Sequence, residues 1–185
     1  MRRLVAWNMM TLDGCFEGNA PWDLSFHNMV WGEELEAFSL EQGKEIGTLL
    51  FGRRTYEGMF GYWSKETGAV ADMMNSIEKA VASRTLDKAE WNNTRLLKGD
   101  AVAAVKALKA EGGKDVYVFG SADLLASLLA EGLVDEYRIC LVPVVLGSGN
   151  PLFKADGLKK DFRLIDSRPL KTGGVVLKYA KASLS

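Results

Sequence analysis

The chain has 185 residues, of which 48% are hydrophobic and 25% charged, and its formal net charge is -1. That composition suits one sizeable core and excludes a disordered chain. The near-zero charge gives no global field toward nucleic acid or an anionic membrane, so a polyanionic ligand would have to be held by local positive charge. No apolar run approaches the roughly twenty residues needed to cross a bilayer. The basic Met1-Arg-Arg start leads into an apolar part too short for a signal peptide and reads as a first strand. Cys15 and Cys140 stand far apart in unlike contexts and read as free thiols in a reducing cytosol. One histidine without clustered cysteines argues against zinc. The expectation is a cytoplasmic protein folded as one domain over residues 1–185, without bound metal.

Leu4 to Met9 reads as a buried strand that runs into Thr11-Leu-Asp-Gly14, a turn signal. Cys15 to Ser25 is loop-like, with Gly18, Asn19 and Pro21 around the aromatics Phe16 and Trp22. A helix is expected from about Asn28, with Val30, Leu35, Phe38 and Gln42 near one face and Gly43 and Gly47 closing it. Thr48 to Phe51 is a second strand, stopped at Gly52. Arg53-Arg-Thr-Tyr-Glu57 then opens a short helix expected to end near Gly58 or Gly61. A helical segment from about Ala69 to Asn75 precedes a third strand, Lys79 to Ser83, and Thr94 to Leu97 is a small strand. Asp100 caps a helix with Val102, Val105 and Leu108 inward, ending at Gly112-Gly113.

Val116 to Phe119 is a strand buried on both faces. Gly120 breaks it, Ser121 is a good N-cap, and Leu124, Leu125, Leu128 and Leu129 recur at helical spacing. Leu133 to Val142 is a longer strand that leads through Pro143 into the glycine-rich Leu146-Gly-Ser-Gly-Asn-Pro151. Phe162 to Ile165 and Val175 to Tyr179 suggest a terminal antiparallel hairpin. Strand and helix alternate until that hairpin. This predicts an α/β fold with a mainly parallel sheet, helices on both faces and an antiparallel edge.

Three strands end in turns rich in phosphate-binding groups: Gly52-Arg53-Arg54-Thr55, Ser83-Arg84-Thr85 and Gly120-Ser121-Ala122. A strand that turns through glycine into a helix start aims backbone N–H groups and a positive dipole end at one spot. If the three strands are parallel neighbours, their turns meet beyond the carboxyl ends of the sheet, where open α/β folds bind ligands. The arginines would then supply the charge that the net balance lacks. There is no G-x-x-x-x-G-K-[ST] P-loop, and no G-x-G-x-x-G follows the first strand. A dinucleotide on these turns would place its reactive end near the first loop, with Trp7, Asn8, Asp13, Trp22 and His27 as a pocket wall.

With these pieces in hand, the chain resembles the dihydrofolate-reductase-like family. Within it, the chain is similar to the branch of the reductase domain of the bifunctional riboflavin-biosynthesis deaminase–reductase. The matching pieces are Thr11-Leu-Asp-Gly14, Leu49-Leu-Phe-Gly-Arg-Arg-Thr-Tyr-Glu57, Ala82-Ser-Arg-Thr85, Val118-Phe-Gly-Ser121 with Leu124, Leu133-Val-Asp-Glu136, Pro143-Val-Val-Leu-Gly-Ser-Gly149 and Pro151-Leu-Phe153. They cover nearly the whole chain. The resemblance implies a three-layer αβα fold that binds NADPH. Gly52, Arg53, Arg54 and Thr55 would meet the cofactor phosphates, Ser83 and Arg84 the adenosine 2′-phosphate, and Gly120, Ser121, Ala122 and Leu124 the pyrophosphate side. Asn8, Trp22 and His27 are the expected substrate contacts.

Folate-reducing members carry an acidic residue soon after the Pro-Trp of the first loop; here His27 falls roughly at that place. Histidine can donate a proton near neutral pH but cannot make a carboxylate's two-point contact with a pterin. His27 and Asp13 are therefore the candidate catalytic acids, and folate or pteridine reduction is the second reading. The deaminase signatures H-x-E and P-C-x-x-C are absent. The most specific activity implied is reduction of 5-amino-6-(5-phosphoribosylamino)uracil, although no Lys or Arg lies between Thr11 and Val30 to meet that substrate's phosphate. A non-catalytic NADPH-binding protein of the same fold is the rival outside enzymes. A homodimer is expected from the resemblance, with Leu133 to Val145 as the apolar surface on offer.

Overall fold

The structure, a computed structural model, describes residues 1–154 and 159–182. Its strands are β1 (Leu4–Thr11), β2 (Cys15–Glu17), β3 (Ile46–Gly52), β4 (Glu78–Ala82), β5 (Thr94–Leu97), β6 (Asp115–Phe119), β7 (Glu136–Val142), β8 (Asn150–Pro151), β9 (Phe162–Pro169) and β10 (Val175–Lys181). The helices are α1 (Glu33–Gly43), α2 (Arg53–Trp63), α3 (Ala69–Ser76), α4 (Ala101–Ala110) and α5 (Ala122–Ala130), with a 3-10 turn over Ser25–Met29. Eight strands form one sheet in the order β5-β4-β3-β6-β1-β7-β10-β9; β2 and β8 make a separate pair. Pairing is parallel from β5 across to β7 and antiparallel through β7, β10 and β9.

Side-chain alternation along each central strand divides the core between the two faces. On β6, Tyr117 and Phe119 join Val5, Leu49 and Phe51 under Leu35, Phe38, Tyr56 and Met74 of α1, α2 and α3. Val116 and Val118 join Leu4, Ala6 and Leu50 under Val105, Leu108, Leu124, Leu125 and Leu128 of α4 and α5. The result is the three-layer αβα arrangement of the dihydrofolate reductase type. Both cysteines are free and buried, and burial pushes the Cys140 thiol up to about 12. Among the described residues no helix is long and apolar enough to cross a membrane.

Where the structure departs from the sequence reading, glycine and polar pairing explain most of it. The first helix begins at Glu33, after the 3-10 turn, rather than at Asn28. Gly47 lies inside β3 instead of closing that helix: a Cβ there would stand 2.8 Å from Nη2 of the buried Arg2. Helix α2 runs through Gly58 and Gly61 to Trp63, because Gly58 is a clearance for Trp22, whose ring a Cβ would meet at 2.3 Å. The strand expected from Leu133 starts at Glu136 and lies between β1 and β10. Its side chains, Tyr137, Ile139, Cys140 and Val142, are core residues. It does not offer the exposed apolar surface expected for a dimer; the large exposed hydrophobics nearby are Val145, Phe153 and, on β9, Leu164 and Ile165.

Candidate functional site

Strands β4, β3 and β6 are adjacent and parallel, so the three turns read from the sequence leave the same edge of the sheet. The first two are joined by one hydrogen bond, from Arg53 Nη1 to Thr85 Oγ1 at 2.7 Å, while Arg53 Nε donates within α2 to Glu57 Oε1 at 2.7 Å. The first and third are in direct contact. A Cβ on Gly52 would lie 2.4 Å from Ser121 Oγ, and one on Gly120 would lie 3.2 Å from Thr55 Cγ2. Glycine at both places lets each backbone take a side chain of the other turn, Ser121 against Gly52 and Thr55 against Gly120, closer than a Cβ would allow. Ser83 Oγ accepts from the backbone N–H groups of Thr85 and Leu86 at 3.2 and 3.0 Å, which curls its turn and leaves Arg84 exposed at the tip. Arg54 is likewise exposed, and among the described residues neither Arg54 nor Arg84 has an acidic partner.

Ser121 occupies the N-cap position of α5, but its hydroxyl does not cap the helix as the sequence suggested. Both Gly120 and Ser121 have φ 58, and this left-handed pair turns the serine toward Gly52. Positive φ is costly for a residue with a Cβ and is kept where the surroundings enforce it. Ala122 begins α5, with the free backbone N–H groups of its first turn behind it. Leu124 is buried in the core beneath this turn. Asp123, in the first turn of α5, pairs with Lys154. The Phe119–Gly120 peptide is trans. Asn8 on β1 completes the edge: its Oδ1 accepts the Gly120 N–H at 2.9 Å.

The first loop is held from two sides. Trp22, at φ 65, lays its ring over Gly58 of α2 while its backbone N–H donates to Glu17 Oε1 at 2.7 Å. Glu17 Oε2 accepts from Asn150 Nδ2 at 2.6 Å, and Asn19 Nδ2 donates to Ser148 Oγ at 2.7 Å. Strand β2 pairs with β8, and Leu152 N–H donates to Gly14 O at 2.9 Å. The glycine-rich segment after Leu146 is therefore the other wall of the first loop. Asp13 takes part in this stitching. Its carboxylate accepts from Thr11 Oγ1 at 2.6 Å and from the N–H groups of Gly147 at 2.8 Å and Leu146 at 3.3 Å. Those bonds, with Thr11 foremost, hold Asp13 below the usual carboxylate range, so it is an ionised clasp and a poor acid.

His27 sits in the 3-10 turn, edge-on to Phe26 with ring centroids 4.8 Å apart. Burial pushes its imidazole down to about 4, and among the described residues its Nε2 has no hydrogen-bond partner. At neutral pH it is uncharged, which removes it as the ready proton donor that an unperturbed histidine would be. The structure thus brings Gly52, Arg53, Thr55, Gly120, Ser121 and Asn8 together by contact. Arg54, Ser83 and Arg84 lie on the same edge, whereas Asp13, Trp22 and His27 belong to the first loop. The sequence reading passed over Glu17, Ser148 and Asn150; partners some 130 residues apart in polar loops leave no periodic signal.

Residues 2–176 match the model of the RibD C-terminal domain family. The chain belongs to that family. It is 28% identical over 186 residues to the uncharacterized protein YyaP of Bacillus subtilis, an alignment covering 96% of this chain and 94% of that one. Its fold superposes with a TM-score of 0.79 on a Shewanella sp. PV-4 protein named for riboflavin biosynthesis, at 20% identity and covering 98% and 99% of the two chains. It also superposes with a TM-score of 0.63 on the dihydrofolate reductase of Enterococcus faecalis complexed with NADP(H), at 13% identity and covering 98% and 97%. A RibD C-terminal domain is reductase-like, and the sheet edge described above is where this chain gathers the glycine, hydroxyl and arginine residues of its three turns.

Proposed function

We propose that this chain is an NADPH-dependent reductase that passes hydride to a C=N or C=O bond of a small heterocyclic or ribosylamino substrate. The observation that carries the reading is the pair of exposed arginines without acidic partners, Arg54 and Arg84, beside glycine and hydroxyl turns at the ends of three parallel strands. The residues fit the cofactor in three respects. Gly52 and Gly120 let the first and third turns close on each other, which brings the Thr55 and Ser121 hydroxyls to one edge of the sheet. The start of α5 offers unpaired N–H groups to a pyrophosphate. Arg84, on the most outlying of the three turns, suits the adenosine 2′-phosphate that separates NADPH from NADH. Arg53, already engaged with Glu57 and Thr85, orders the turns that bear the other groups. When bound, NADPH supplies the hydride, and the protein supplies position and electrostatics.

For the substrate, the family match and the riboflavin-biosynthesis name of a structural relative favour a 5-amino-6-(5-phosphoribosylamino)uracil-like compound. Against folate or pteridine stands His27, half-buried and neutral where a carboxylate would be needed. The test has two stages. NADPH fluorescence titration should show saturable binding that Arg84→Ala weakens at least about ten-fold, with NADH affinity little changed. NADPH oxidation is then followed against ribosylamino pyrimidines, pterins and simple carbonyls. Absence of NADPH binding by the wild type sinks the reading; binding without turnover on any of the panel favours the non-catalytic alternative.

A further inference from the structure

Strand β1 pairs with β6 only as far as Trp7 opposite Phe119, but continues beside β7 to Thr11 opposite Val142. Asn8 is the first residue of β1 beyond that split, where Gly120 turns β6 away toward α5. Its side chain bridges the opening, with Oδ1 accepting the Gly120 N–H at 2.9 Å in place of a ladder bond. A backbone N–H can face only the oxygen end of an amide, so the orientation of the group is fixed and Nδ2 is the opposite end. Among the described residues Nδ2 is buried without a partner, in a residue only 6% exposed. Buried donors are almost always satisfied, and an orphan at the split of a sheet points to a partner supplied from outside the chain.

The chemistry of that partner follows from the neighbours. Alternation puts Asn8 on the face of Leu4 and Ala6, whose cluster includes Leu124, Ile139 and Leu152. A charged oxygen would be costly among them, whereas a neutral carbonyl oxygen suits a neutral donor. The arginine-bearing turn after β4 is three strands away from β1, a span of about 14 Å at about 4.8 Å per strand. An extended dinucleotide anchored by phosphate at that end would bring its uncharged amide end to Asn8.

We propose that Asn8 is a specificity-determining ligand contact whose Nδ2 donates to the carboxamide oxygen of the nicotinamide, while Oδ1 of the same amide holds the Gly120–Ala122 turn in register with it. This rests on the NADPH reading above. Asn8→Asp keeps an acceptor for Gly120 and replaces the donor. It should lower affinity for NADPH about ten-fold and leave affinity for 2′,5′-ADP, which lacks the nicotinamide, within about two-fold. Equal loss for both ligands would show that Asn8 only shapes the turn, and no loss for either would show that Nδ2 contacts nothing; each overturns the inference. Should the Asp variant fail to fold, the wild type carries the test. Thionicotinamide-NADP+, whose sulfur is a poor acceptor, should bind about five-fold more weakly than NADP+, and equal binding overturns the inference. A wild type that binds neither NADPH nor 2′,5′-ADP refutes the cofactor reading and this inference with it, an outcome distinct from failure at Asn8 alone.

Discussion

The guanidinium of Arg53 donates to the hydroxyl of Thr85 at 2.7 Å, linking the turn after β3 to the turn after β4. Both groups are exposed, so the bond contributes little to folding, but it sets the separation of Arg54 and Arg84. Thr85→Val should therefore leave stability within about 0.5 kcal/mol of wild type in urea unfolding. NADPH affinity, read by fluorescence titration, should fall roughly three- to ten-fold. Unchanged affinity would remove Arg53–Thr85 from the binding apparatus.

Two glycines of α2 make a paired test of packing against propensity. A Cβ at Gly61 meets nothing within 4 Å, so Gly61→Ala should stabilise the protein by about 0.5–1 kcal/mol through helix propensity. At Gly58 the same change drives a methyl into the Trp22 ring, and the displacement should cost about 1–3 kcal/mol despite the better propensity. Denaturant midpoints of the two variants should move in opposite directions, with Trp22 emission altered only in Gly58→Ala.

His27, the only histidine of the chain, gives a clean acid titration. Its folded pKa of about 4 lies below the unfolded value of 6.5, so between those values the unfolded chain binds the extra proton. Stability should therefore decline as pH falls from 6.5 toward 4, and His27→Phe should remove that part of the slope. NMR of the imidazole in the native protein should show no protonation at pH 6; a native midpoint near 6.5 would contradict the burial argument and restore His27 as a proton donor.

Lys79 is fully buried, and among the described residues it has no ion-pair partner. Its ammonium donates to Asn75 O at 2.5 Å and Asn92 O at 3.3 Å and lies 4.6 Å from the centroid of the Trp91 ring. Burial pushes it down to about 8 from 10.5. Between these values the unfolded chain carries the extra proton, so stability gains with rising pH. Relative to Lys79→Met, wild type should become more stable from pH 8 to 10.5. The comparison isolates Lys79 from Cys140 and the buried tyrosines, whose raised pKa values act in the opposite direction. A constant difference across the window would refute the assignment.

The fold was legible because its central strands are short apolar runs buried on both faces, and because Gly52 and Gly120 break them where helices begin. The same residue type misled elsewhere. Gly47 and Gly58 read as stops, yet they exist for the close approach of Arg2 and Trp22, and sequence spacing does not separate a glycine that ends an element from one that makes room within it. Ser121 looked like a cap, but left-handed backbone at Gly120 and Ser121 points its hydroxyl at a different strand. Asp13 and His27 have ordinary acid chemistry as residue types, and their surroundings change it through hydrogen bonds for one and desolvation for the other. The three turns could be identified one by one, whereas their contact depends on the strand order, which no single turn encodes.

The pairing of β2 with β8 has a bearing on engineering. Glu17, Asn19 and Asp13 find their partners at Asn150, Ser148 and Gly147, so the first loop and the segment after Leu146 are two pieces of chain sewn into one panel. A graft of the first loop from another family member would arrive with its hydrogen bonds severed. Chimeras that exchange residues 13–19 and 146–152 together should keep the panel intact, and those that exchange either piece alone should not.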